Sequence, residues 1–115
     1  MLIERKEILN EDKSTGYVEA VFNSDNVLKT TYFPQAQRLY IAFGRGHTYS
    51  YGNVPREMYD EFEAANSQGK FFHAKINKKY PTRKEFTLYP NEVADLKETV
   101  KTKMSELISE EEDGE

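Results

Sequence analysis

The sequence predicts an α+β fold: an antiparallel β-meander packed by two short helices, followed by a long C-terminal helix and a disordered acidic tail. Three observations lead there. Apolar residues alternate through residues 17–51, with turn-forming residues between the runs. After Pro55 the apolar spacing changes to three and four, and after Pro90 a single apolar stripe continues to Ile108.

Residues 1–10 fit either a strand or a short helix. Tyr17 to Phe22 places Val18, Ala20 and Phe22 at period two, and Asn23-Ser24-Asp25-Asn26 turns the chain. Val27 to Phe33 is β-branched and aromatic and is broken by Pro34-Gln35-Ala36. Arg38 to Phe43 then alternates with Leu39, Ile41 and Phe43 on one face. Gly44-Arg45-Gly46 permits a tight reversal into His47 to Tyr51, because glycine reaches positive φ without steric cost. Pro55 suits a first helical turn, and Met58, Phe62 and Ala65 mark a helix over about 55–66. Phe72 and Ile76 mark a second over 69–79, which Pro81 cannot continue. Phe86 to Tyr89 reads as a further strand. Asn91 is placed to cap a helix over 91–109, with Glu92 at its positive end. Residues 110–115, five acids among six, are too polar to pack. The reading is one domain over 1–90, its motifs in 27–84, with the last helix appended and no internal repeat.

Composition narrows the function. A chain of 115 residues, 37% hydrophobic, builds one small core and not a multidomain enzyme. It has no cysteine, hence no disulfide framework or thiolate site, which fits a reducing compartment. Its N-terminus has no basic region followed by an apolar stretch, and no run approaches the ~18 apolar residues that span a bilayer. A cytoplasmic protein is expected, in the host cytoplasm if phage-encoded.

Charge is unevenly placed. The formal net charge is -4, yet residues 29–84 carry ten basic and four acidic side chains, and Lys70 to Lys84 holds six cations and no acid. A cationic middle therefore lies between two anionic flanks. Tyr49-Ser50-Tyr51, Phe71 and Phe72 add flat rings to it, and cations with rings suit a ligand that has both phosphates and bases. The plain alternative is a solvated charged face over an aromatic core.

A catalytic constellation does not emerge from the residues. His47 and His73 lie on different elements, with no carboxylate at ligand spacing, so no metal and no cofactor is expected. Ser67 is a helix cap before it is a nucleophile. Gly44-Arg45-Gly46 is too short for a phosphate-cradling loop and reads as a hairpin turn with Arg45 at its tip. What remains is a set of binding candidates. Tyr49 and Tyr51 share one strand face, either in the core or free to stack. Phe71 and Phe72 cannot both point inward from an α-helix, and Phe72 pairs with Ile76, so Phe71 is the freer ring. Arg45, Lys75, Lys79 and Arg83 are the cations placed to meet phosphates. In the last helix, Val93, Leu96, Val100, Met104 and Leu107 form a stripe like a short coiled-coil seam, which must pack on the chain's own sheet or on another copy; a dimer or tetramer is expected.

Several of these strings occur together in a known order. Leu39 to Phe43, Tyr49-Ser50-Tyr51, Val54-Pro55, Met58-Tyr59, Ala65-Asn66-Ser67-Gln68-Gly69-Lys70-Phe71-Phe72 and Ile76 to Pro81 resemble the KTSC domain, named for the C-terminus of some lysyl-tRNA synthetases. Lys29-Thr30-Thr31 stands where that family tends to small serines, and His73 where asparagine is common. The resemblance implies no assigned activity. The synthetase fusions point to RNA, and stand-alone members look common in phages and prophages, where a small chain with no catalytic constellation is often an inhibitor, a decoy or a sponge for a host signalling molecule.

Three functions follow as expectations. The first is a non-enzymatic protein that sequesters a small nucleotide, such as a cyclic oligonucleotide, in phage evasion of host defence. The second is an RNA or tRNA-binding module, and the third an acidic adaptor or inhibitor that binds a protein. The anionic flanks repel a long nucleic acid, whereas a small anion feels mainly charges within a Debye length of ~8 Å. That contrast ranks the first above the second.

Overall fold

The computed structural model describes residues 1–113, and side chains as far as residue 108. Six strands form one antiparallel sheet in sequence order: β1 (Leu2–Leu9), β2 (Thr15–Phe22), β3 (Val27–Phe33), β4 (Arg38–Phe43), β5 (His47–Tyr51) and β6 (Thr82–Thr87). Between β5 and β6 the chain forms α1 (Arg56–Ala64), α2 (Gln68–Phe71) and a π-helical turn over Phe72–Ile76; α3 (Pro90–Asp113) ends it. The α+β class, the meander and the long last helix are as the sequence predicts. Of the tail expected to be disordered from residue 110, α3 takes in the backbone as far as Asp113, and residues 114–115 lie outside the described residues. Among the described residues no helix is long and apolar enough to cross a membrane.

Register explains the core. Val18 faces Tyr32 and Ala20 faces Thr30; Tyr32 and Thr30 face Leu39 and Ile41, which face Tyr51 and Tyr49. These residues share one sheet face, and Tyr59, Phe62, Phe72 and Ile76 close over it from the helices. Tyr32 stacks on Tyr59 with centroids 4.6 Å apart, and each buried phenol finds a partner: Tyr32 Oη donates to Val54 O at 2.6 Å, and Tyr59 Oη lies 3.1 Å from Thr30 Oγ1.

Four local expectations change. Residues 2–9 are a strand, held as the sheet edge by β2. The second helix is not a continuous α-helix over 69–79. It widens at Phe72, where the N–H of Asn77 reaches back five residues to Phe72 O at 2.8 Å, and it ends with Lys78 at φ 63. Both neighbouring rings pack: Phe72 edge-on to Phe43 and Tyr51, and Phe71 edge-on to Phe62. The last strand begins at Thr82 instead of Phe86, because Arg83 and Lys84 pair with Ser50 and Tyr49 of β5. Charged residues on an edge strand also discourage further pairing. Finally, α3 opens at Pro90, with Glu92 Oε1 accepting from the N–H of Tyr89 at 3.0 Å, so Asn91 is not the cap.

Candidate functional site

The β2–β3 turn, Asn23 to Asn26, is gripped from two sides. Ser24 Oγ accepts from the N–H groups of Asn26 (3.3 Å) and Val27 (3.2 Å), which sets the turn. Asn26 O accepts from the N–H of Gly44 at 2.8 Å, tying it to the β4–β5 turn. On the other side Ser67 Oγ caps α2 by accepting from the N–H of Lys70 at 3.3 Å, and α2 presses Gly69 against Asn26.

A groove follows this turn. One part, about 780 Å³, lies between the turn and α2, with Asn26, Asn66, Ser67, Lys70 and His73 on its walls. A second part, about 340 Å³, continues past His73 to Phe43, Phe72, Arg45 and His47. Asp25, Asn26 and His73 line both, so the two parts are one depression. One end offers the half-buried ring of Phe43 beside one guanidinium and two imidazoles, and the other offers amides, a hydroxyl and an ammonium. Arg45 and Lys70 make no ion pair with another described residue, which leaves two cations against the single carboxylate of Asp25.

Of the candidates read from sequence, Arg45 lies in this groove. Tyr49 is half-buried behind it, its ring 6.1 Å from Phe43. Tyr51 is 3% exposed, with its ring on Phe72 at 5.6 Å. Burial pushes its phenol up to about 12, and it offers no stacking surface. Phe71 is half-buried on Phe62, less free than expected. Lys75 and Lys79 are exposed but stand outside the groove. Arg83 is engaged: its Nε donates to Glu85 Oε1 at 2.8 Å, while Ser50 Oγ donates to the same oxygen at 2.7 Å and holds that carboxyl below its usual range. The stripe residues Val93, Leu96, Val100 and Met104 are half-buried as α3 lies along β1 to β3, and Leu107 is exposed. Sequence reading missed Lys70, and it treated His47 and His73 as unrelated. The Ser67-x-Gly69-Lys70 helix start was the available signal for the first; nothing local could pair the histidines. No group of three metal-ligating side chains occurs among the described residues.

The model of the KTSC domain matches residues 23–80, half of the chain. The chain belongs to the KTSC domain family. It is also similar to the crystal structure of a KTSC domain protein from Yersinia pestis, with 32% identity, a TM-score of 0.57, and coverage of 59% of this chain and 96% of that one. No curated protein matches it. Every residue lining the two parts of the groove falls inside the KTSC match, whereas β1, β2, β6 and α3 fall outside it.

Proposed function

We propose that this KTSC protein binds a small phosphate-containing nucleotide in the groove beside the β2–β3 turn and holds it without turnover. The observation that carries the reading is the half-buried ring of Phe43, backed by the buried Phe72 at 5.1 Å, with Arg45, His47 and His73 around one cleft, and Lys70 with Asn26 and Asn66 in the cleft that adjoins it. A ring surface suits a base, a guanidinium suits a phosphate bidentately, and side-chain amides suit the donor and acceptor edges of a base. Retention of an intact ligand makes the protein a sponge for a nucleotide signal, and a phage-type sponge for a cyclic oligonucleotide is the form that agrees with its acidic flanks.

Calorimetry against mononucleotides, cyclic dinucleotides, cyclic trinucleotides and short RNA tests it. Micromolar or tighter binding of a small nucleotide is expected, with the ligand recovered intact after denaturation. Loss of one charged partner through Arg45→Ala or Lys70→Ala should weaken it by about ten- to a hundredfold, the ~1.5–3 kcal/mol scale of a charged hydrogen bond. A second reading, RNA binding, draws on Tyr17, Phe33 and Tyr40, half-buried neighbours on the other sheet face with ring centroids 5.5 and 5.8 Å apart. For RNA, affinity would rise with strand length and fall steeply with salt.

A further inference from the structure

A third cleft, about 320 Å³, opens on the opposite side of the β2–β3 turn. Its walls come from the turn, from the β4–β5 turn and from α3, which brings Lys97 and Val100 beside Leu28 and Arg45. Val93, one turn earlier in α3, sets that approach: it packs so closely on Gly46, at φ 92, that a Cβ there would lie 2.9 Å from its Cγ2. Arg45 and Asp25 line both this cleft and the aromatic end of the groove. Lys97, like Arg45, is exposed and makes no ion pair with another described residue.

The two clefts that meet at Arg45 repeat one chemistry. Each has an apolar wall, Phe43 and Phe72 in one and Leu28 and Val100 in the other. Each also has a cation besides Arg45 or an imidazole, and each touches the carboxylate of Asp25. Their volumes are alike and fall at the lower end of small-ligand sites, roughly 300–1,000 Å³. We infer that the cleft under α3 is a second nucleoside subsite, and that the ligand is a dinucleotide, linear or cyclic. Arg45 holds the phosphate that joins its halves, and Lys97 is a specificity residue for the half under α3. This inference rests on the nucleotide reading of the groove. The guanidinium at a hairpin tip can meet two phosphate oxygens at once. Asp25 can accept from the N–H edge of a base on either side. Because α3 lies outside the KTSC match, the second subsite is an addition to the family module, made by this chain's own C-terminal helix.

The test is calorimetry on the full chain with adenosine and guanosine 5′-monophosphates and with their linear and cyclic dinucleotides, for the wild type and Lys97→Ala. The expected result is a dinucleotide bound about tenfold or more tighter than its mononucleotide, an excess that Lys97→Ala removes. Amide shifts at Lys97 and Val100 in an NMR titration should appear with the dinucleotide alone. Equal affinity for the two ligands, or an equal loss for both in Lys97→Ala, overturns the second subsite and leaves the groove reading in place. No binding of any nucleotide overturns both.

Discussion

Gly69 and Asn26 approach so closely that a Cβ on Gly69 would lie 2.7 Å from Asn26 Nδ2. This contact is how α2 grips the β2–β3 turn, and the Asn26 amide it fixes lines both parts of the groove. Gly69→Ala must therefore push that amide aside. The φ of Gly69 is not in the positive region, so the cost is steric alone. The atom in the way is the end of a side chain that can turn aside, so a loss of no more than about 1 kcal/mol in urea denaturation is expected, the low end for overpacking. Nucleotide affinity should fall in the same variant, and an alanine variant unchanged in both measurements contradicts this account of the turn.

Gln68 is buried, and its Nε2 donates to Ala65 O at 2.8 Å and Phe62 O at 3.2 Å. These carbonyls end α1, where the helical ladder runs out; Phe62 O also accepts from the N–H of Ala65 at 3.3 Å. Gln68→Leu keeps the volume and leaves Ala65 O without this donor, at a cost of about 1–3 kcal/mol. A urea midpoint equal to the wild type would show that water satisfies them instead.

Burial raises the phenols of Tyr51 and Tyr59, the former up to about 12, the latter further and against an opposing contribution from Thr30. A group whose folded pKa is raised gives stability that is complete below its unfolded value, ~10 for tyrosine, and is lost as pH climbs towards the folded value. Thermal stability should therefore fall from about pH 10 upward. Tyr51→Phe should flatten that fall without changing its neutral-pH sign, and a stability profile level between pH 10 and 12 contradicts the burial assigned to these rings.

Much of this fold is legible locally. The strands β2 to β5 announce themselves because each buries one face, and alternation is visible within a few residues, as in Val18, Ala20 and Phe22. The strand β6 is not legible, since Arg83 and Lys84 carry no alternation and only pairing with β5 makes them extended. The π-helical turn is hidden for a related reason: no residue in Phe72–Ile76 marks a five-residue hydrogen bond, and the rings that Phe71 and Phe72 meet lie far away in sequence. At the site, flanking glycines expose Arg45 and made it readable. Alternation put Tyr49 and Tyr51 on one face, but which face the helices cover depends on tertiary packing, and it is theirs. Lys70, His47 and His73 converge only once α2 and the β4–β5 turn meet at Asn26.

Self-association is expected through the far end of α3. Leu107 and Ile108 are 44% and 54% exposed, while Val93 to Met104 already lie against the chain's own sheet. An apolar helix end of this kind gains by packing on another copy. Native mass spectrometry at micromolar concentration should give a dimer or tetramer that Leu107→Glu dissociates. A wild-type monomer under those conditions removes the proposal.

Binding of a small nucleotide in the groove is the central claim, and calorimetry of the wild type beside Arg45→Ala against the mononucleotide, cyclic dinucleotide, cyclic trinucleotide and RNA panel tests it most directly. The account predicts saturable binding of a small nucleotide at micromolar affinity or better, about -8 kcal/mol, with no gain from longer strands and a loss of about tenfold or more in the variant. Absence of heat from every nucleotide, affinity that climbs with RNA length, or an Arg45→Ala protein that binds as the wild type does would contradict it.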